Sequence, residues 1–98
     1  MTYQQFLLVK LAEEAAELSK IALKTAQFGF EDHHPDRTST NKEEIYNELI
    51  DVQAIVEMLN DIGFDFYVNL REQAIANKKN KVARFLLYAR NGGYVDKI

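Results

Sequence analysis

Residues 7–21 read Leu7-Leu8-Val9-Lys10-Leu11-Ala12-Glu13-Glu14-Ala15-Ala16-Glu17-Leu18-Ser19-Lys20-Ile21, and their spacing decides the fold. Alternating steps of four and three residues pass through Leu7, Leu11, Glu14, Leu18 and Ile21, the periodicity of one face of a helix and not of a strand. The seam is apolar except at its middle, where Glu14 stands. A second seam, Ile45, Glu48, Val52, Ile55 and Leu59, follows the same rule and again carries one acid mid-helix. Ile45, Leu49, Val52, Ile55, Val56 and Leu59 are the expected buried stripe of this second helix.

The flanking residues set the helix ends. Thr2-x-x-Gln5 forms a capping box for a first helix running to about Phe28, with Gly29 expected as its left-handed terminator. From Gly29 to about Asn41 the pattern breaks into Phe30, Glu31, Asp32, His33, His34, Pro35, Asp36, Arg37 and a Thr-Ser-Thr run, which reads as a loop. Thr40-x-x-Glu43 and Asn41-x-x-Glu44 both read as capping boxes for the second helix, which ends before Gly63. Asp65 can cap a third helical stretch towards Arg90, with a bend expected around Asn77 to Asn80, and Gly92 and Gly93 end it. The expected fold is all-α, a small bundle of three to four helices in one domain spanning residues 1–98. Phe85, Leu86, Leu87 and Tyr88 in succession put apolar side chains on nearly every face, so completion of the bundle by oligomerisation, as a homodimer or homotetramer, is expected.

The chain has 98 residues, 47% apolar and 28% charged, with no cysteine. Those figures suit one compact soluble domain and exclude a disulfide framework or a thiolate zinc site. No apolar run approaches the roughly 20 residues needed to cross a bilayer, and the first residues lack the pattern of a secretory leader. A cytoplasmic protein with no membrane partner is the expectation. The net charge of −3 hides a division: residues 1–65 hold 13 acids against five bases, and residues 66–98 hold seven bases against two acids. Either oppositely charged helix faces hold two segments together, or an acidic cation site faces a basic anion site.

Spacings of three place Glu14 beside Glu17 and Glu48 beside Asp51, one turn apart on each helix. If the two seams face each other, four carboxylates converge. They cannot all stay ionised in a partly dehydrated space without a positive partner, since like charges and desolvation raise one another's pKa. No lysine or arginine is expected on these seams near the acids. An all-carboxylate donor set suits a hard divalent cation, Mg²⁺ first and then Mn²⁺. A single Glu-Glu-x-x-Glu is ordinarily a solvated helix face, but two acidic pairs interrupting two apolar seams are less easily accidental.

Glu13-Glu14-Ala15-Ala16-Glu17 followed by Glu48-Leu49-Ile50-Asp51 resembles the signature of the all-α nucleoside triphosphate pyrophosphohydrolases, the MazG-like superfamily, which includes dimeric dUTPases and phosphoribosyl-ATP pyrophosphatases. The resemblance covers most of the chain. It implies that Glu14, Glu17, Glu48 and Asp51 are metal ligands and that Glu13 is auxiliary, acting on the attacking water or supporting the ligands. It further implies assembly into dimers or tetramers, with sites completed by a neighbouring subunit. The 30 residues between Glu17 and Glu48 make a long connection for that family, so the loop is expected to be particular to this chain.

The third stretch holds Asn77-Lys78-Lys79-Asn80-Lys81-Val82-Ala83-Arg84. On a helix Asn77, Lys81 and Arg84 share one face, so cations and an amide could address one anion. The segment matches the Asn/Lys/Arg-rich helix that grips substrate phosphates in the resembled family, which implies that role for Asn77, Lys78, Lys81 and Arg84. The plain alternative is a solvated basic face. Nucleic-acid binding is disfavoured, because the acidic first two-thirds of the chain would repel a polyanion. His33 and His34, adjacent in a loop, are expected to be exposed and not to chelate a metal, while Phe28, Phe30 and Tyr46 are expected in the core unless one of them stacks on a base.

The resemblance thus implies Mg²⁺-dependent hydrolysis of a nucleoside triphosphate between the α and β phosphorus atoms, giving a monophosphate and pyrophosphate. Phosphoribosyl-ATP pyrophosphatase activity is the alternative within that class. From another class, a non-catalytic helical interaction module would use the same acids for assembly.

Overall fold

The computed structural model describes residues 1–66 and 71–96. Among them are three helices and no strand: α1 (Tyr3–Phe28), α2 (Asn41–Asp61) and α3 (Arg71–Asn91). The all-α class follows directly. The chain divides into two compact units, Met1–Phe66 and Tyr67–Ile98, and the boundary falls one residue from the point where the charge of the sequence changes sign.

The first unit is a helical hairpin. Thr2 Oγ1 accepts from the Gln5 backbone N–H at 3.1 Å and Gln5 Oε1 accepts from the Thr2 N–H at 2.8 Å, completing the expected box at the head of α1. Gly29 ends that helix with φ 96° and ψ 161°. Its φ is positive, as a glycine allows, but its ψ is extended and not left-handed helical, because the chain turns away into the loop at once. Thr40 is the cap of α2 and Glu43 its reciprocal partner. The other free N–H groups of that helix end are met by the loop: Asn41 N–H donates to the Asp32 carbonyl at 2.7 Å and Lys42 N–H to that of Phe30 at 3.0 Å. The loop is therefore built onto the start of α2, which a helix with unpaired first-turn donors requires.

α1 and α2 pack along each other. They run antiparallel, since Gly29 at the end of α1 accepts from Asn41 Nδ2 at the head of α2, while Glu14 and Glu48 meet mid-helix. Residues 7, 11, 14, 18, 21 and 25 of α1 are buried or half-buried, and so are 41, 45, 48, 52, 55 and 59 of α2. Both seams are thus where the four-three spacing puts them. Leu7 and Leu59 are each 1% exposed and are joined by Ile21 in the small apolar core. Thr25, buried one turn beyond Ile21, satisfies its hydroxyl on the Ile21 carbonyl at 2.7 Å.

Several expected core residues lie outside. Leu49 is 51% exposed, and Phe28, Phe30 and Tyr46 are more exposed still. In a two-helix hairpin only one stripe of each helix is covered, and these side chains stand off it. Gly63, with φ 103°, makes the turn after α2 as expected.

The second unit is described by α3 and the turn behind it. The helix is uninterrupted through Asn77 to Asn80, where a bend was expected, and Gly92 and Gly93 end it. Phe66, directly behind the expected cap Asp65, is not helical; residues 67–70 lie outside the described residues, and α3 is described from Arg71. No residue of α3 is buried. No helix among the described residues is long and apolar enough to cross a membrane.

Candidate functional site

The mid-helix acids meet across the hairpin. One carboxylate oxygen from each of Glu14, Glu48 and Asp51 lies within 4.8 Å of the others, with Glu14 and Glu48 half-buried and Asp51 exposed. These three are held there by the seams: Leu11 and Leu18 flank Glu14, Ile45 and Val52 flank Glu48, and Asp51 projects one turn beyond Glu48. Desolvation first, then a hydrogen bond with Glu14 and the charges of Asp51, Glu14 and Glu17, hold the Glu48 carboxyl above the ordinary glutamate range. Glu48 Oε2 is sealed from solvent and has no hydrogen-bond partner.

The other expected acids are placed differently. Glu17 is not one of the three that meet, although its charge acts on Glu48. Glu13 is exposed and pairs with Lys10 at 3.1 Å; Lys10 in turn lies over the Phe6 ring at 5.6 Å. The donor chemistry of Glu14, Glu48 and Asp51 fits a hard divalent cation, since all three offer carboxylate oxygen and the sealed Glu48 oxygen lacks any partner.

Cations stand closer to these acids than the sequence led one to expect. A pocket of about 310 Å³ adjoins the cluster, with Glu17 and Glu48 in its wall alongside Lys20 and Lys24 of α1, Arg37 of the loop and Glu44 of α2. The Arg37 Nε stands 3.8 Å from Glu44 Oε1, and the Ser39 hydroxyl donates to that same oxygen. The lysines escape a seam reading because they flank the seam. Arg37 is positioned by a loop whose path depends on bonds made 12 residues apart, such as Asn41 Nδ2 to the Gly29 carbonyl at 2.9 Å. The only local signal for it was an arginine, the sole one before residue 71, beside the proline of the loop.

His33 and His34 are exposed and turned to their own loop: His33 Nδ1 donates to the His34 carbonyl at 2.9 Å, and His34 Nδ1 accepts from the Asp36 N–H at 3.1 Å. On α3, Asn77, Lys78, Lys81 and Arg84 are all exposed. Asn77 Oδ1 accepts from Gln73 Nε2 at 2.9 Å, and Lys81 and Arg84 border a shallow apolar depression with Phe85 and Tyr88. No protein-family model, curated protein or solved structure matches the chain.

Proposed function

We propose that the protein is a Mg²⁺-dependent nucleoside triphosphate pyrophosphohydrolase. One observation carries the reading: carboxylates from two different helices meet in the half-buried seam of the hairpin, and one of their oxygens, Glu48 Oε2, is sealed without a partner. In this reading Glu14, Glu48 and Asp51 hold the cation, Mg²⁺ or in its place Mn²⁺, and Glu17 joins them from one turn along α1. When bound, the metal lowers the pKa of water and neutralises charge developing on the leaving group. Water forms the new bond to the α phosphorus, the bond from that phosphorus to the bridging oxygen breaks, and the proton passes to the surrounding carboxylates. The products are a nucleoside monophosphate and pyrophosphate. Glu13, steadied by Lys10, is auxiliary.

The phosphate tail of such a substrate needs cations. Asn77, Lys78, Lys81 and Arg84 on α3 are one exposed set able to supply them. The same proposal includes a cytoplasmic homodimer or homotetramer, supported by the exposure of Phe85, Leu87 and Tyr88 on α3 and of Tyr46 and Leu49 on α2. Light scattering that returned a stable monomer of 11.3 kDa would remove the assembly from it.

The test is a panel of standard and modified nucleoside triphosphates with Mg²⁺, read as pyrophosphate release. Turnover of at least one is expected, and Glu48→Gln should lower it by about 100-fold or more while helicity is kept, because groups merely behind a ligand already cost about 10- to 100-fold. No turnover of any nucleotide would sink the reading, and a fully active Glu48→Gln protein would sink the site.

A further inference from the structure

Arg37 poses a problem that its neighbours do not solve. Its Nε and Nη2 are both sealed from solvent and neither makes a hydrogen bond, although buried polar groups are almost always paired. Those two nitrogens are closed to a pocket ligand as they are to water, and with its side chain 33% exposed Arg37 reaches the pocket through the rest of its guanidinium. Glu44 is near enough to orient it at 3.8 Å but too far to bond it, and Glu44 is itself engaged by Ser39.

The space that Arg37 borders is the pocket of about 310 Å³ it shares with Lys20 and Lys24. Three cations line one volume large enough for a small polyanion. Of the acids in the same wall, Glu44 is engaged by Ser39 and faces Arg37, Glu48 belongs to the carboxylate cluster, and Glu17 adds one further negative charge beside it. With a divalent cation at the cluster, Lys20, Lys24, Arg37 and the metal together balance Glu17, Glu44 and the three cluster acids, so an anion entering beside the lysines meets no net negative charge. Guanidinium forks and lysine ammonium groups are the side chains that suit phosphate oxygens.

We infer that this pocket, formed by α1, the 29–40 loop and the first turns of α2, is the subsite that grips the pyrophosphate end of a nucleoside triphosphate through Lys20, Lys24 and Arg37, with Glu44 as the positioning residue for Arg37. The inference rests on the hydrolase reading for the identity of the ligand. Glu17 and Glu48 belong to the pocket wall and to the acidic site at once, so a phosphate tail in the pocket abuts the carboxylates with no help from α3. The long connection between the acidic motifs acquires a purpose: it delivers an arginine to the end of α1.

Calorimetric titration with inorganic pyrophosphate in Mg²⁺ tests this on the full chain. Arg37→Met and, as a change on α1 outside the loop, Lys24→Gln should each weaken pyrophosphate binding about tenfold or more, the scale of one charge-assisted hydrogen bond. Binding of a nucleoside monophosphate should be unaltered in both, because it lacks the leaving end. Pyrophosphate that binds both variants as it binds the wild type, or that loses as much affinity in the Lys81→Gln/Arg84→Gln protein as in Arg37→Met, would overturn the assignment. Absence of pyrophosphate binding to the wild type would overturn it too. Arg37-dependent binding in a protein that turns over no nucleotide would sink the hydrolase reading and leave the subsite; normal turnover with Arg37-independent binding would do the reverse.

Discussion

α2 and α3 have the same length, 21 residues each, and differ in nearly everything that gives a helix a defined environment. α2 opens on a reciprocal cap, receives two loop carbonyls on its first N–H groups and buries Asn41 and Leu59. α3 buries nothing. The contrast extends to charge: Glu48 of α2 is half-buried and its carboxylate comes within 4.8 Å of that of Glu14 on α1, while Lys78, Lys81 and Arg84 of α3 are exposed. A charged group gains chemical meaning where desolvation and unmet valence constrain it, and in this chain those conditions are met in the hairpin. Counting charges along the sequence gives the two segments equal standing; burial does not.

The contrast can be attacked where it is strongest. Leu59→Ala should cost about 2–5 kcal/mol, because it empties a site 1% exposed to solvent in a core with few other apolar side chains to relax into the void. Ile75→Ala on α3, where the side chain is exposed, should cost less than about 1 kcal/mol. Denaturant melts of the two variants measure this, and equal losses would erase the distinction between the units.

A smaller effect is expected at the head of α2. Thr40→Ala removes the hydroxyl that accepts from the Glu43 N–H at 3.2 Å and should cost about 1 kcal/mol. Because the loop is bonded to the same helix end, amide exchange at Asn41 and Lys42 should quicken with it. Unchanged exchange there would mean that the loop is held by something other than that end.

The smallest effect is a pH dependence with metal chelated. Desolvation, then the bond with Glu14 and the neighbouring charges, raises Glu48 above its unfolded value, so the folded chain binds that proton more tightly than the unfolded one. The contribution is fully present below the unfolded value and is lost as pH rises through the raised folded value. In chelator, Glu48→Gln should therefore be the more stable protein at neutral pH, and the gap should close on acidification into the carboxylate range. A gap that ignores pH would show that Glu48 is not strained by its neighbours.

Much of the hairpin was legible in the sequence because its determinants are local. Thr2 with Gln5 and Thr40 with Glu43 are bonded three residues apart, and the four-three steps that put Glu14 and Glu48 in the seams depend only on helix geometry. The rest depended on neighbours. Leu49 has a place in the apolar pattern of α2 but lies on a face that one partner helix cannot reach. Glu17 shares the spacing of Glu14, yet a step of three residues turns it past the meeting point and into the pocket wall. Arg37 was least legible: its position follows from where Asp32, Phe30 and Gly29 present their carbonyls to the head of α2, a tertiary arrangement with no periodic trace.

The hairpin acids are proposed to form a cation site that works on a triphosphate. Its most direct test is the melting temperature of the wild type and of Glu48→Gln, in chelator and in Mg²⁺ with a non-hydrolysable nucleoside triphosphate, since a ligand that binds only the folded chain raises its stability in proportion to ligand excess. A clear upward shift with Mg²⁺ and nucleotide is expected in the wild type, and its loss in Glu48→Gln. A wild type that melts at the same temperature in chelator and in Mg²⁺ with nucleotide would contradict it and favour a helical module whose acids serve assembly alone.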